Sequence, residues 1–512
     1  MSITLASSFS IAGDWDFKPN FGLTETYTNN VALTAADQHS SVVSQVIAGF
    51  NATYESREVE VSFSGSETYA TYSHNSDLND DYQTAQVEGL FSLWRDGPKL
   101  VANSQISHIS QNGANNSLAD LVSSGTVQRR SHSAGFQYQT ANSSQNFSGS
   151  IIYGLTETDD SIGESKGYTA NINSQNGNSA RHMFWQVSGL YSNRTNTNTT
   201  GTNYNIDAQI GAITAFKLNP FIRVYREDIT GTAVGSRQNN TNSWGPGLRW
   251  QASDHFYIDV SYNYVEDQGA SSDYLASNIS WQPSQRTSLV AGYSRRFFGD
   301  SYNLDFSHKT KRLTNTISYD ETIQIFDRDS FEEVTLGEFW CPVGGPFTAS
   351  SCFPASLSPS DTTGFILVQR TGLALVENNE FSLNKRLAWI STLALSRTTF
   401  TVNIATRERE GLSTGSLNDN FDISLSATRK LSPRSDLEFI VSYRESTFGI
   451  SSDLDVDAKQ DDTYKSISAT YNKSLASSLS GYVTLQYLDR ESTQFDRSYD
   501  EVRANINITK DF

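Results

Sequence analysis

The chain has 512 residues, with 38 Lys+Arg against 56 Asp+Glu, a formal net charge of −18 on a sequence only 18% charged. A pI near 4.8 without a basic stripe excludes nucleic acid as a partner; the longest apolar runs, such as Phe365 to Val368, fall far short of the about 20 residues a membrane helix needs. Aromatic residues at 12%, only 10 Pro and no Pro/Gly-rich linker exclude disorder and a string of small domains, leaving one large architecture.

Residues 1–12 are mildly apolar and end in Ser10-Ile11-Ala12 before Gly13, small residues of the kind found at a signal-cleavage site. The first cation is Lys18, so the basic start of a leader is missing. The expectation is a remnant of an export signal over 1–12 and a single domain over 13–512, with an ordinary chain end as the alternative.

Period-two alternation then recurs along the whole chain. Val59, Val61 and Phe63 oppose Glu58, Glu60 and Ser62. Phe256, Ile258, Val260, Tyr262 and Tyr264 oppose Tyr257, Asp259, Ser261 and Asn263. The rhythm returns in Phe400, Val402 and Ile404, in Phe421, Ile423 and Leu425, and in Leu437, Phe439, Val441 and Tyr443. A strand with two such faces separates two solvents. The carboxyl end, Val502 to Phe512, alternates likewise and stops on an aromatic residue. That ending resembles the signal by which barrel-assembly machinery recognises outer-membrane barrels, and it assigns Phe512 as the assembly signal.

Turns alternate in length. Short ones (Glu55 to Arg57, Arg95 to Lys99, Ala252 to Asp254, Ser432 to Ser435) interleave with long polar ones (Gln111 to Gln128, Thr230 to Thr241, Ser446 to Asp462). A transmembrane barrel has this asymmetry, because periplasmic turns are short and outer loops long. Tyr54, Trp94, Phe216, Trp250, Trp281 and Tyr471 mark the short-turn side, where an aromatic girdle meets lipid headgroups and lipopolysaccharide. The fold expected is all-β: an antiparallel up-and-down transmembrane barrel in the bacterial outer membrane, without a plug domain, of about 24 strands within a range of roughly 22 to 26. A ring that wide encloses a lumen that side chains cannot fill.

Chemistry-bearing motifs are few. Cys341 and Cys352, the only cysteines, fall in the longest connection, about 327–379, where an oxidising envelope favours one disulfide; the loop they close is a candidate to fold over the pore. Gly411-Leu412-Ser413-Thr414-Gly415 matches a nucleophile elbow but lies in an apparent outer loop, and favours a turn. Asp453, Asp455 and Asp457 could aim carboxylates at Ca²⁺, yet Tyr464 stands where a twelfth-position acid is needed, so a solvated acidic loop is preferred. No catalytic, cofactor or metal residue is assigned, and no cofactor is expected. The lumen face is expected to carry Glu58, Glu60, Glu88, Asp259 and Glu438 with Arg386, Arg407, Arg444 and Arg503, and to offer Tyr257, Tyr274 and Tyr482 as stacking surfaces for sugar rings. Arg295 is expected outside, near the outer rim, where an Arg snorkels.

Trp15-Asp16-Phe17-Lys18-Pro19, then Thr24 to Val31, and further on Trp281-Gln282-Pro283-Ser284, Gly292 to Tyr302, Ser307 to Arg312 and Ile317-Ser318-Tyr319 resemble the outer-membrane β-barrel family associated with PEP-CTERM/exosortase systems, although Asn29 stands where the pattern carries Asp. The resemblance implies a barrel that accompanies exopolysaccharide production, with polysaccharide and periplasmic export proteins as partners and no catalytic residues. The reading is a porin-like conduit associated with exopolysaccharide export. The alternatives are a structural or surface-assembly barrel that anchors partners through its loops and a lipid-modifying barrel enzyme.

Overall fold

A computed structural model describes residues 13–35, 38–113, 121–123, 125–232, 239–266, 272–325, 330–344, 352–355, 363–377, 379–449, 459–494 and 497–512. The expected signal remnant and Asp453, Asp455 and Asp457 lie outside the described residues. The chain forms a 24-stranded antiparallel sheet, each strand paired with its sequence neighbours. Strand Asp14–Thr28 also pairs with Tyr499–Asp511, in register from Asn20 opposite Asp511 to Thr28 opposite Arg503, which closes the ring. Closure leaves no wall strand without a neighbour on either side, the condition for crossing a bilayer with strands.

Alternation decides which face meets lipid. In Phe256–Val265, Val260, Tyr262 and Tyr264 are exposed outward, while Asp259, Ser261 and Asn263 are buried inside. β-Branched and aromatic residues on the outer parity fit a pleated, half-buried surface, so the same residues favour the strand and anchor it in lipid. On the short-turn side Trp94, Phe216, Trp250, Trp281, Tyr471 and Phe512 point outward. Tyr54 is the exception in exposure: Trp15 covers it, with ring centroids 5.0 Å apart, and meets lipid in its place. A second belt, including Tyr27, Tyr69, Trp244, Tyr264 and Tyr302, marks the outer side.

Over a third of its circumference the ring does not bound one wide lumen. Eight consecutive strands, from Thr200–Ala212 through Leu313–Ile325, curl so that their inner faces touch. Arg296, on Thr287–Arg296, is ion-paired with Glu227, on Leu218–Gly231, four places away in the wall. Lower down Arg223 Nη2 donates to Ser294 Oγ at 3.2 Å across the same gap. Strand Leu313–Ile325 pairs with Gly299–Lys309 only as far as Tyr319. Above that point it runs with Phe381–Ala394 toward the opposite wall. Ile325 and Phe381, on the parity that meets lipid at Ile317 and Trp389, are there only 3% and 1% exposed and pack with Ile229. Asn379 Oδ1 accepts from Asn196 Nδ2 at 2.9 Å and from Thr199 Oγ1 at 3.1 Å, fastening the two sides.

The clasp needs a bare backbone at Gly201, where a Cβ would come within 2.8 Å of Ile325 Cγ2 and 2.9 Å of the Phe381 ring. Burying a side chain such as Phe381 contributes roughly 1.5–3 kcal/mol. An eight-strand curl is about the width that side chains can fill, whereas sixteen strands leave an aqueous channel. The ring of 24 therefore divides, at its outer half, into a filled lobe of eight strands and a wide lobe made by the other sixteen.

The long connection forms a three-stranded sheet, Ser330–Pro342, Phe353–Pro354 and Phe365–Val376, distinct from the 24-stranded one. Cys341 and Cys352 are bonded at its turn, with Cα atoms 4.4 Å apart.

Candidate functional site

The two lobes have different interiors. In the small one the inward residues pack in layers. Near the short-turn end Arg249 lies over the Phe184 ring (4.1 Å) and the Tyr257 ring (4.4 Å) and is bonded to Asp259 through Nε and Nη2 at 2.6 and 2.7 Å. Toward the outer end Tyr225 Oη donates to Glu227 at 2.9 Å, and Tyr274 Oη lies 2.9 Å from Ser243 Oγ. Buried charges at these depths are tolerated because each has an opposite partner.

Tyr257, Asp259 and Tyr274, expected to line a conduit, instead sit in this packed lobe. Tyr274 is buried and Asp259 is neutralised by Arg249, so neither meets open lumen. Glu58 falls in the bend 57–58 rather than on the strand that follows, so it belongs to the short turn. Glu60, Glu88, Arg386, Arg407, Glu438, Arg444, Tyr482 and Arg503 all lie on the inward parity of the wide lobe. Arg295 is on the outward parity and donates to Ser272 Oγ at 3.0 Å.

The wide lobe has two chemically distinct walls. One, from Thr126–Ala141 to Ser165–Asn176, presents mostly neutral groups inward, among them Ser131, Ser133, Ser148, Ser150, Asn171 and Asn173, with Arg129 at its outer end and Asn171 Nδ2 donating to Ser150 Oγ at 2.8 Å. Another, from Phe381–Ala394 to Ser435–Phe448, carries the charges: Arg444 is paired with Asp422, Arg407 donates to Asn384 Oδ1 at 3.1 Å beside its register partner Arg386, and Glu438 stands nearer the short-turn end. Hydroxyls and amides beside charge pairs make a polar lining that repels neither ion sign as a whole.

Packed groups at the outer ends of the strands border the mouth. Residues 121–123 fold inward: Val122 packs with Val31, Val43, Ala70, Tyr72 and Tyr82, while Tyr72 Oη donates to the Leu121 carbonyl at 2.9 Å and Arg503 Nη2 to Ser123 Oγ at 3.1 Å. Arg503 is also paired with Glu501 at 2.8 Å, so it holds the rim rather than standing free in the lumen. Arg490 is paired with Asp462 at 2.8 Å, both side chains nearly inaccessible, and lies against Tyr464. Glu380 accepts from the amides of Ser413 and Thr414 at 2.9 and 3.0 Å and from both hydroxyls. Ser413 is thus pinned in an outer turn, without the strand-to-helix setting of a nucleophile.

Sequence reasoning missed the inward segment 121–123 and the clasp. The signal for the first was Leu121-Val122, an apolar pair inside an otherwise polar outer loop.

An apolar outer belt around a closed, wet ring places this protein in the bacterial outer membrane. No family model matches the chain, and no curated protein does so. Among solved structures it is similar to the siderophore receptor PirA from Acinetobacter baumannii, at 8% identity over 97% of this chain and 80% of that one, TM-score 0.43. It is similar also to the FrpB iron transporter from Neisseria meningitidis, F5-1 variant, at 9% identity over 97% and 83%, TM-score 0.44. The third is OpdK from Pseudomonas aeruginosa with vanillate, at 8% identity over 97% and 99%, TM-score 0.30. With TM-scores below 0.5, none of these bears on what this chain does.

Proposed function

We propose that the wide lobe is a conduit for a hydrophilic polymer, of the exopolysaccharide kind that the resemblance to PEP-CTERM/exosortase-associated barrels implies. The observation that carries the reading is the wall of Ser131, Ser133, Ser148, Ser150, Asn171 and Asn173, neutral hydrogen-bonding groups on consecutive inward positions of a lobe too wide for side chains to close. Such a lining exchanges hydrogen bonds with passing hydroxyls at little net cost, as water does.

Purified barrel in planar bilayers tests it. Steady conductance that falls when neutral dextran is added to one side is the expected result, and a barrel silent at all voltages would refute it. In cells, loss of the gene should lower secreted polysaccharide. A second reading, a surface-assembly barrel, is favoured by the disulfide-closed sheet in the long connection, which could dock a partner; it predicts a silent barrel whose loss leaves secretion intact.

A further inference from the structure

We propose that the small lobe holds a binding niche for one neutral sugar residue at the flank of the conduit. The cavity between its two packed layers measures about 260 Å³. That is near the lower end of the roughly 300–1,000 Å³ of small-molecule sites and well above the ~30 Å³ of one water. Its lining includes Phe221, Gln209, Arg223, Asn278, Ser294 and Asn303. Gln186, also in the lining, belongs to Met183–Thr195, a strand of the wide lobe, so the niche borders the conduit.

Two groups in the lining await partners. Arg223 is 5% exposed; it spends Nε and Nη2 on Asp207 at 3.0 and 2.7 Å, yet Nη1 is buried without a hydrogen-bond partner. Gln209 Oε1 is likewise buried and unpartnered. An orphaned buried donor and an orphaned buried acceptor each carry a penalty that a ligand able to both accept and donate would relieve. A hydroxyl does both. Asp207 balances Arg223 and Asp259 balances Arg249, so the site has no net charge to attract an anion. A lining that mixes apolar groups such as Phe221 and Val290 with amides and hydroxyls suits a pyranose ring, whose C–H face is apolar and whose rim is polar.

The substrate class rests on the conduit reading, but the chemistry of the niche does not, and the test separates them. Full-length barrel in detergent is titrated calorimetrically with methyl glucoside, methyl galactoside and glucuronate, and the same preparations are measured in bilayers. Saturable binding of a neutral glycoside is expected. Gln209→Leu, which removes the acceptor, and Ala276→Leu, which fills the cavity, should each weaken it at least about tenfold. Both should retain heat-modifiable gel mobility and wild-type conductance, since both residues stand on strands of the small lobe and point into its cavity rather than into the wide one. Wild-type protein that conducts but binds no glycoside overturns the niche alone; binding indifferent to both variants, or tighter for glucuronate, overturns it too. A silent barrel that binds and loses binding in the variants supports the niche while refuting the conduit.

Discussion

Replacing Glu227 by Gln removes the charge that faces Arg296 and leaves shape and volume almost unchanged. The two residues stand on strands four places apart. Along an uncurled wall that is ~19 Å at ~4.8 Å per strand, more than the two side chains can bridge. They touch only because the wall folds on itself. Glu227 is fully buried and the Arg296 side chain is 12% exposed, so the survivor of a single substitution is a nearly dehydrated charge. Breaking such a pair costs about 3–5 kcal/mol. Arg296→Met should cost a similar amount, and the double variant clearly less than the sum, with a coupling of at least about 1.5 kcal/mol. Urea titration in detergent, read by the mobility difference between folded and unfolded barrel, gives all four free energies. Additivity within ~0.5 kcal/mol would mean that the residues do not meet and that the ring is open throughout.

Deleting Leu121 to Ser123 should raise single-channel conductance, because that segment is held inward at the mouth by Tyr72 and Arg503; unchanged conductance would show that the constriction lies elsewhere. Arg444→Ala removes one half of a part-exposed lumen pair, so stability should change by no more than ~1 kcal/mol while the reversal potential in a salt gradient moves toward cation preference; a reversal potential that stays put removes the pair from the ion path. Cys341→Ser should abolish the disulfide, seen as a new alkylatable thiol, and leave the barrel's melting temperature within a few degrees, since the strands it staples form a sheet distinct from the 24-stranded ring. A larger drop would make that sheet part of the barrel's own stability.

Much of the architecture was legible because one physical rule repeats. Lipid outside and water inside force the alternation seen from Phe256 to Tyr264, and the strand ends follow from where aromatic residues and short turns coincide, as at Trp250 and Trp281. The curl was not legible. Arg296 and Glu227 each read as one more inward polar residue, and nothing local marks them as partners 69 positions apart. Tyr257, Asp259 and Tyr274 were misplaced for the same reason: parity says inside, not which inside. The available trace was small residues at inward positions. Gly201 makes room for Phe381, and Gly247 lies beneath the Phe221 ring, but a glycine in a strand has several explanations and only the fold selects one.

The filling of the small lobe with ion pairs and amides rather than aliphatic side chains has a physical cause. An outer-membrane strand is sorted by its contrast between faces: apolar residues on both would make a continuous greasy segment, with no signal for which side meets lipid and a tendency to aggregate before insertion. Most inward positions therefore stay polar even where they end up buried, with Phe221 and Ile229 among the exceptions. Buried polar groups are stable only when paired. Hence Arg249 with Asp259, Arg223 with Asp207 and Arg296 with Glu227, all contributed by strands whose outer faces are apolar. A barrel that narrows itself by curling its wall inherits this requirement, and any inward group left unpaired in the curl, as at Arg223 Nη1 and Gln209 Oε1, is a place where a small polar ligand can do what a side chain does not.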